Sequence, residues 1–124
     1  MRIFKTKTFV RFARHASLGD EALRRAVINA ERGLVDADLG GGVIKQRIGR
    51  AGGGKSGGFR TIVLFRSGGR AVFVYGFAKN ERDNIGEDEL RAFRKLAALL
   101  LNYGDAEIAA AVASGELRGI PGDD

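Results

Sequence analysis

Three runs rich in β-branched and aromatic residues, separated by clusters of glycine, place the strongest constraint on how this chain can fold. The runs span residues 43–49, 59–66 and 71–78. Polar and apolar side chains alternate in the first run, and a period of two puts them on opposite faces of a β-strand. Glycine clusters favour turns between such strands. The pattern therefore predicts a three-stranded antiparallel meander.

The glycine cluster between the first two runs contains a literal match to the phosphate-loop motif G-x-x-x-x-G-K-[ST], at Gly49, Gly54, Lys55 and Ser56. Such a loop functions at a helix N-terminus, where backbone N–H groups and the helix dipole face the phosphates. Here two glycines and then the strand-like run at 59–66 follow the motif, so no helix is expected. We interpret the segment as a basic connection between two strands.

The segments before these runs are predicted to form one strand and two helices. Residues 2–4 are a short strand candidate, placed either at an edge or in the middle of the sheet. Apolar residues recur at helical spacing around residues 7–15. Ser17, with Asp20 three residues later, is typical of the start of a second helix, and Gly33 is typical of its end.

Two further helices are predicted after the runs. Residues 86–102 carry an apolar stripe, and the acidic residues at their beginning suit the positive end of the helix dipole. Asp105 is a candidate cap for a shorter helix at 106–114. A short tail that ends in acidic residues follows at 115–124.

These elements predict an α+β fold with the order β-α-α-β-β-β, two N-terminal helices and one or two C-terminal helices. The sheet is expected to be small and mostly antiparallel. At 124 residues the chain is interpreted as a single domain spanning residues 1–124. Its core is expected over about residues 2–102, with the short extra helix and the tail at 105–124.

The charge of the chain is concentrated in its middle third. The formal net charge is +6, but residues 43–82 alone carry nine basic side chains against one acidic one, a net of +8. Basic side chains on strands indicate a folded surface for a polyanion. An ordinary solvated surface is the alternative, although such surfaces usually mix both signs. The lack of an apolar leader or a membrane-length run predicts a cytoplasmic protein with no membrane partner.

Basic residues on this sheet fit RNA cleavage better than metal-dependent or serine-based hydrolysis. The chain has no cysteine and one histidine, and its basic third has one carboxylate, so no metal site and no cofactor are expected. RNA supplies its own nucleophile, the 2′-OH, and needs donors that align it and stabilise the charge on the phosphorane. Four residues are predicted to converge on one sheet surface: Lys45, Arg47, Arg60 and Lys79. Binding of backbone phosphates without catalysis is the alternative.

Two segments resemble a known family. The sequence G-K-S-G-G-F-R at residues 54–60 precedes the middle strand of the meander, and F-A-K-N-E-R-D-N-I at residues 77–85 follows its last strand. With the order of the elements, these motifs resemble RelE-type toxins of bacterial toxin–antitoxin pairs, in particular a HigB-like branch of the RelE/ParE superfamily. The resemblance covers about residues 2–115. It implies a RelE-like fold and a toxin that cleaves mRNA in the ribosomal A site, leaving a 2′,3′-cyclic phosphate and a 5′-OH.

The resemblance also implies roles for individual residues. The implied catalytic residues are Lys45, Arg47, Arg60, Lys79 and Glu81. The residues predicted to bind RNA or the ribosome are Arg50, Lys55, Arg66 and Arg82. Asn80 stands where better-known RelE toxins carry an arginine, and Ile85 and Gly86 stand where those toxins carry an aromatic or acid–base residue. The general base is therefore open between Lys45, Lys79 and Glu81.

Partners follow from the same resemblance. They are the ribosome, mRNA and a cognate antitoxin encoded by an adjacent gene. The antitoxin is expected to place acidic side chains near the basic strands or to displace the helix at 86–102. The apolar run Leu99–Leu101 suggests surplus apolar surface for a partner or a homodimer. A non-catalytic relative, either directed at DNA gyrase as in ParE or a degenerate toxin, is the alternative function.

The interpretation of the glycine cluster can be tested by nucleotide binding. We expect neither ATP nor GTP to bind, because no helix N-terminus is predicted after Ser56 to receive the phosphates. Isothermal titration calorimetry of the wild type and of Lys55→Ala should show no heat of binding. Tight binding by the wild type that is lost in the variant would contradict the two-strand interpretation.

Overall fold

The structure, a computed structural model, describes residues 1–49 and 58–121. Within these residues it contains a six-stranded sheet and four α-helices. The strands are β1 (Arg2–Thr6), β2 (Ala37–Gly40), β3 (Val43–Ile48), β4 (Phe59–Arg66), β5 (Arg70–Ala78) and β6 (Leu117–Gly119). The helices are α1 (Lys7–Ala16), α2 (Asp20–Glu31), α3 (Glu87–Leu100) and α4 (Asp105–Ala113).

The sheet has the order β2-β3-β4-β5-β1-β6. Strands β3, β4 and β5 pair antiparallel, which confirms the predicted meander. Strand β4 follows directly after Gly58, so a strand rather than a helix lies beyond the glycine cluster. Strand β1 lies inside the sheet, parallel to β5 and antiparallel to β6. The α+β class is therefore confirmed, with one parallel pair in a mainly antiparallel sheet.

Two short edge strands were not expected from the sequence. Strand β2 pairs with β3, and β6, in the segment interpreted as a tail, pairs with β1. Neither the sequence A-D-L-G nor L-R-G has the β-branched or aromatic run that marks a strand. Both strands are formed by pairing with a neighbour rather than by local preference.

The predicted start of the second helix was wrong. Ser17 adopts the left-handed conformation, with φ of 55°, and its N–H donates to the carbonyl groups of Ala13 and Arg14. It therefore ends α1, and α2 begins at Asp20 after an extended Gly19. Left-handed backbone at a helix C-terminus satisfies carbonyl groups that the helix leaves unpaired.

The predicted cap of the last helix was also wrong by one residue. Asp105 is the first helical residue of α4, and the capping position belongs to Gly104. The Glu107 carboxylate accepts a 2.8 Å hydrogen bond from the Gly104 N–H, so an acid three residues on compensates for the missing side chain.

The helices cover both faces of the sheet. Helices α1 and α2 pack on one face through buried residues that include Phe9, Leu23, Val27, Val63 and Phe73. Helices α3 and α4 pack on the other face through buried residues that include Val43, Leu64, Val72, Leu100 and Ile108. Because side chains alternate along each strand, the residues of β3 and β4 divide between these two cores.

The register of the β4–β5 pair shifts between Ile62 and Val63, which oppose Tyr75 and Phe73. Val74 is the extra residue on β5, as expected for a β-bulge. Val74 is buried with the core of α3 and α4, and Tyr75 packs against the same core. The bulge therefore brings Tyr75 to the face that α3 covers.

The C-terminal end of α3 is fixed by a buried arginine. Arg70 Nη1 donates to the carbonyl oxygens of Leu100, at 2.8 Å, and Tyr103, at 3.0 Å. Burial, followed by the nearby charges of Arg66 and Arg2, lowers the pKa of the Arg70 guanidinium. Hydrogen bonds from a cation to the last carbonyl groups stabilise a helix C-terminus.

The apolar run at the end of α3 is less exposed than expected. Leu100 and Leu101 are buried, and Leu99 alone of the three is exposed, at 52%. No single helix within the described residues is long and apolar enough to cross a membrane. Helices α3 and α4 satisfy the length and composition only as a pair, and they are bent by 116°.

The packing of α4 gives a stability prediction. Ile108 is fully buried, so Ile108→Ala should lower the free energy of unfolding by about 2–5 kcal/mol through lost burial and the cavity left behind. Val112→Ala on the exposed side of the same helix should change it little. Urea denaturation followed by circular dichroism measures both, and equal effects would contradict the docking of α4 on the sheet.

Candidate nucleic-acid interface

Three of the predicted site residues lie on the same face of the sheet. Arg47 on β3 is directly opposite Arg60 on β4, and Lys45 is opposite Ile62 two positions further along. Ile62 belongs to the core beneath α3 and α4, so the strand alternation directs Lys45, Arg47 and Arg60 to that side of the sheet. Arg47, near the end of β3, also lines a pocket with Ala22 and Arg25 of α2. We call Lys45, Arg47 and Arg60 the basic face. Their neighbours Ile44 and Ile48 belong to the opposite core, as the alternation predicts.

The carboxylate of Asp36 contacts the basic face. Asp36 Oδ2 lies 3.5 Å from Arg60 Nε and 4.0 Å from Lys45 Nζ. The Asp36 side chain is one-third exposed, whereas those of Lys45 and Arg60 are largely buried. The sequence contained no signal for this contact, because Asp36 lies just before the unexpected strand β2. The acid partly neutralises the end of the face where the cations are most buried.

The backbone of Asp36 is held by a buried glutamine. Gln46 Oε1 accepts a 2.9 Å hydrogen bond from the Asp36 N–H. Gln46 Nε2 donates to the carbonyl oxygens of Ala26, at 2.9 Å, and Leu34, at 3.1 Å. Gln46 is only 4% exposed, and a buried amide of this kind is stable because its polar atoms are paired. It connects β3 with α2 and with the segment before β2.

Arg60 has unused hydrogen-bonding capacity. Its side chain is 10% exposed, and Nη1 is buried with no hydrogen-bond partner among the described residues. A buried donor without a partner costs about 1–3 kcal/mol, and more for a charged group. The guanidinium therefore has a donor that no described residue satisfies.

The charged segment after β5 continues at the same end of the sheet. Phe77 is opposite Arg60, and the Lys79 N–H donates to the Gly58 carbonyl oxygen at 3.1 Å. Lys79 therefore lies two positions, about 7 Å, beyond the residue that faces Arg60. Lys79 and Glu81 are exposed. The structure thus brings this segment close to the basic face.

Arg82 is engaged within the chain. Its Nη2 donates to Glu89 Oε1 at 2.7 Å, its Nη1 donates to the Tyr75 hydroxyl at 3.0 Å, and its Nε donates to the Asn84 carbonyl oxygen at 2.8 Å. The guanidinium also lies over the rings of Tyr75 and Phe77. The hydrogen bond to Glu89, followed by the one to Tyr75, raises the pKa of the Arg82 guanidinium. Arg82 thereby joins the segment after β5 to the first turn of α3.

A cavity of about 810 Å³ lies beside the end of β5. Its walls come from the end of α1, from β5 and from the segment that contains Glu81 and Arg82. Gly76 in its wall carries no side chain, which leaves room for the Phe12 ring. His15, exposed at the end of α1, also lines this cavity.

The structure does not place the other predicted RNA-binding residues, Arg66, Arg50 and Lys55, beside the basic face. Arg66 is at the other end of β4, opposite Arg70 and about 20 Å along the strand from Arg60. Arg50 and Lys55 lie outside the described residues, as does the rest of the phosphate-loop match beyond Gly49.

The paired acids Asp36 and Asp38 do not form a metal site. Asp38 Oδ1 accepts a hydrogen bond from the Gly40 N–H, in a local turn. Across residues 1–49 and 58–121, no group of three or more histidine, cysteine, aspartate or glutamate side chains is arranged to hold a metal ion.

The fold and the site define a small α+β protein with cations on one sheet face, beside a charged segment that follows the meander. The family model of the RelE toxin of the RelE/RelB toxin–antitoxin system matches residues 1–120. The chain therefore belongs to the RelE toxin family. No curated protein matches the sequence closely enough to name a nearer relative.

The contact between Arg82 and Glu89 predicts a pH-dependent stability. Hydrogen bonds from Arg82 and then from the Gly86 N–H lower the pKa of the Glu89 carboxyl below its usual 4.5. A lowered pKa stabilises the folded protein at pH values above 4.5, and this stability is lost as the pH falls through the lowered value. Glu89→Gln should therefore lower the melting temperature at pH 7, and the difference from the wild type should shrink below pH 4.5. A difference that stays constant down to pH 3 would contradict the ion pair.

Proposed function

We propose that this chain is the toxin of a type II toxin–antitoxin system and acts as a ribosome-dependent mRNA endoribonuclease of the HigB-like branch. Membership of the RelE family supports the toxin assignment. The observation that carries the enzymatic part is the position of Arg60, a buried guanidinium with an unused donor on the basic face. A phosphate oxygen is an acceptor of the charge and geometry that such a donor fits.

The proposed reaction is attack by the 2′-oxygen of the RNA on the adjacent phosphorus, with departure of the 5′-oxygen. Arg60 stabilises the charge that develops on the phosphorane oxygens, and Lys45 and Arg47 hold the flanking backbone. Glu81 is exposed in the charged segment that follows β5, close to the basic face, and we assign it the removal of the 2′-OH proton. Lys79, exposed nearby, donates to the leaving oxygen. Arg82 supports the segment that carries both groups.

The proposed partners follow from this reaction. The ribosome and mRNA supply the substrate, and a cognate antitoxin of the RelB type restrains the toxin in the cytoplasm. We propose that the antitoxin neutralises the basic face with acidic side chains or displaces α3 from its position beside it. The exposed Leu99 on α3 is a candidate contact for the antitoxin or for a second copy of the chain.

The test is the cleavage rate of Arg60 variants on mRNA-programmed ribosomes. Arg60→Ala should lower kcat by roughly a hundredfold, on the scale of losing one donor to a transition-state oxyanion. Arg60→Lys keeps the charge but loses the planar guanidinium, so it should recover only part of the rate. Binding to ribosomes should fall much less in both variants. Circular dichroism should confirm that both are folded.

The matched control removes an exposed guanidinium from the far edge of the sheet. Arg118 on β6 is exposed, and β6 is the edge strand farthest from β2 and β3, so Arg118→Ala should leave the rate unchanged. Equal losses of rate and of ribosome affinity in Arg60→Ala would reduce Arg60 to a binding contact. A wild type that binds RNA without cutting ribosome-bound mRNA would favour a non-catalytic member of the family.

A further inference from the structure

Asp36 occupies an unexpected position for an acid on a surface that binds RNA. Its carboxylate contacts both Arg60 and Lys45, so it reduces the positive charge of the basic face. If that face only attracted phosphates, the acid would weaken binding, because affinity for a polyanion rises with the positive charge of the site. Attraction of RNA therefore does not explain why a carboxylate lies beside these cations.

The surroundings show that this acid is held in place. The Asp36 N–H donates to Gln46 Oε1, and the same buried amide is fixed by two backbone carbonyl groups, one from α2. Gln46 is also fixed as part of β3, in register with Thr61 on β4, next to Arg60. The backbone that carries the carboxylate is thus tied to the same pair of strands that carries the cations.

The contact to Arg60 uses one particular nitrogen. Asp36 Oδ2 lies 3.5 Å from Nε, and Nη1, at the far end of the guanidinium, has no partner among the described residues. The guanidinium is planar, so an ion pair at Nε favours orientations that keep this edge toward the carboxylate. The carboxylate therefore restrains the direction in which the terminal nitrogens point.

We propose that Asp36 is a positioning residue for Arg60, held by Gln46, that directs the terminal guanidinium nitrogens toward the scissile phosphate. This inference rests on the proposed function and deepens it. Asp36 does not touch the substrate; it acts through Arg60. A small misplacement of a group that stabilises the transition state costs far more in rate than in binding.

The experiment compares Asp36→Asn and Asp36→Glu with the wild type on mRNA-programmed ribosomes. Asp36→Asn keeps the shape but removes the charge that holds Nε, so kcat should fall roughly ten- to a hundredfold. KM should stay the same or decrease, because a negative charge has been removed from the basic face. Asp36→Glu keeps the charge and should recover part of kcat. Asp38→Asn, two residues away with its carboxylate in a local turn, is the matched control and should behave as the wild type.

A second measurement does not depend on catalysis. The Arg60 Nε–H should give a slowly exchanging signal in ¹⁵N NMR spectra of the wild type, and Asp36→Asn should speed its exchange with water. An unchanged kcat in Asp36→Asn, or an Arg60 Nε–H signal that does not respond, would overturn the positioning role. If the wild type itself fails to cleave mRNA, the proposed function falls, and loss of the slow Nε–H signal alone then supports the contact as an orienting one.

Discussion

The register between β3 and β4 is the constraint on which the rest of the site depends. Arg47 is directly opposite Arg60 across the two strands, and Lys45 lies two positions along β3. A slip of β3 by one residue would turn Lys45 and Arg47 to the opposite side of the sheet and bring isoleucines to the basic face. The register is strongly specified because both faces of the sheet are buried, with Ile44 and Val63 in one core and Val43 and Leu64 in the other. The apolar cores thereby decide where the charged groups lie.

The same end of the sheet is supported from the side of α3 by a second set of polar contacts. Arg82 joins Tyr75 on β5 to Glu89 in the first turn of α3, and Glu89 also accepts from the Gly86 N–H. At the other end of α3, Arg70 binds two carbonyl oxygens. Two arginines from the basic third of the chain thus hold a helix rather than a ligand. Net charge alone overstates the surface available for RNA.

The parts of the fold that could be predicted are those in which local preference and packing agree. The meander and the four helices follow from period-two and helical spacing of apolar residues, which the tertiary structure preserves. Strands β2 and β6 escaped prediction because their hydrogen bonds come from pairing with β3 and β1 rather than from a local preference for strand. The capping residues of α2 and α4, Gly19 and Gly104, were not predicted because glycine has no side chain that could indicate a cap.

The candidate site shows the same division. The alternation along β3 was sufficient to place Lys45 and Arg47 on one face, and pairing with β4 added Arg60. The β-bulge that moves Tyr75 to the face of α3 leaves no mark in a run that is apolar throughout. The role of Asp36 could not be predicted from the sequence. Asp36 lies just before the unpredicted strand β2, and its contacts are with Lys45 on β3 and Arg60 on β4.

Asp36 also affects the stability of the fold, because it reduces the electrostatic repulsion between neighbouring cations. Cations placed side by side on adjacent strands repel one another, and burial of Lys45 and Arg60 increases the cost of leaving them unpaired. One carboxylate between them reduces that repulsion while leaving a net positive face, so the fold can keep the guanidinium inside the protein without a bound phosphate. A fully neutralised face would be more stable but would lose its attraction for RNA, and a face with no acid would attract RNA but hold Arg60 less firmly. The observed arrangement, one fixed acid for two largely buried cations, lies between these limits and is consistent with a site that must fold first and bind a polyanion afterwards.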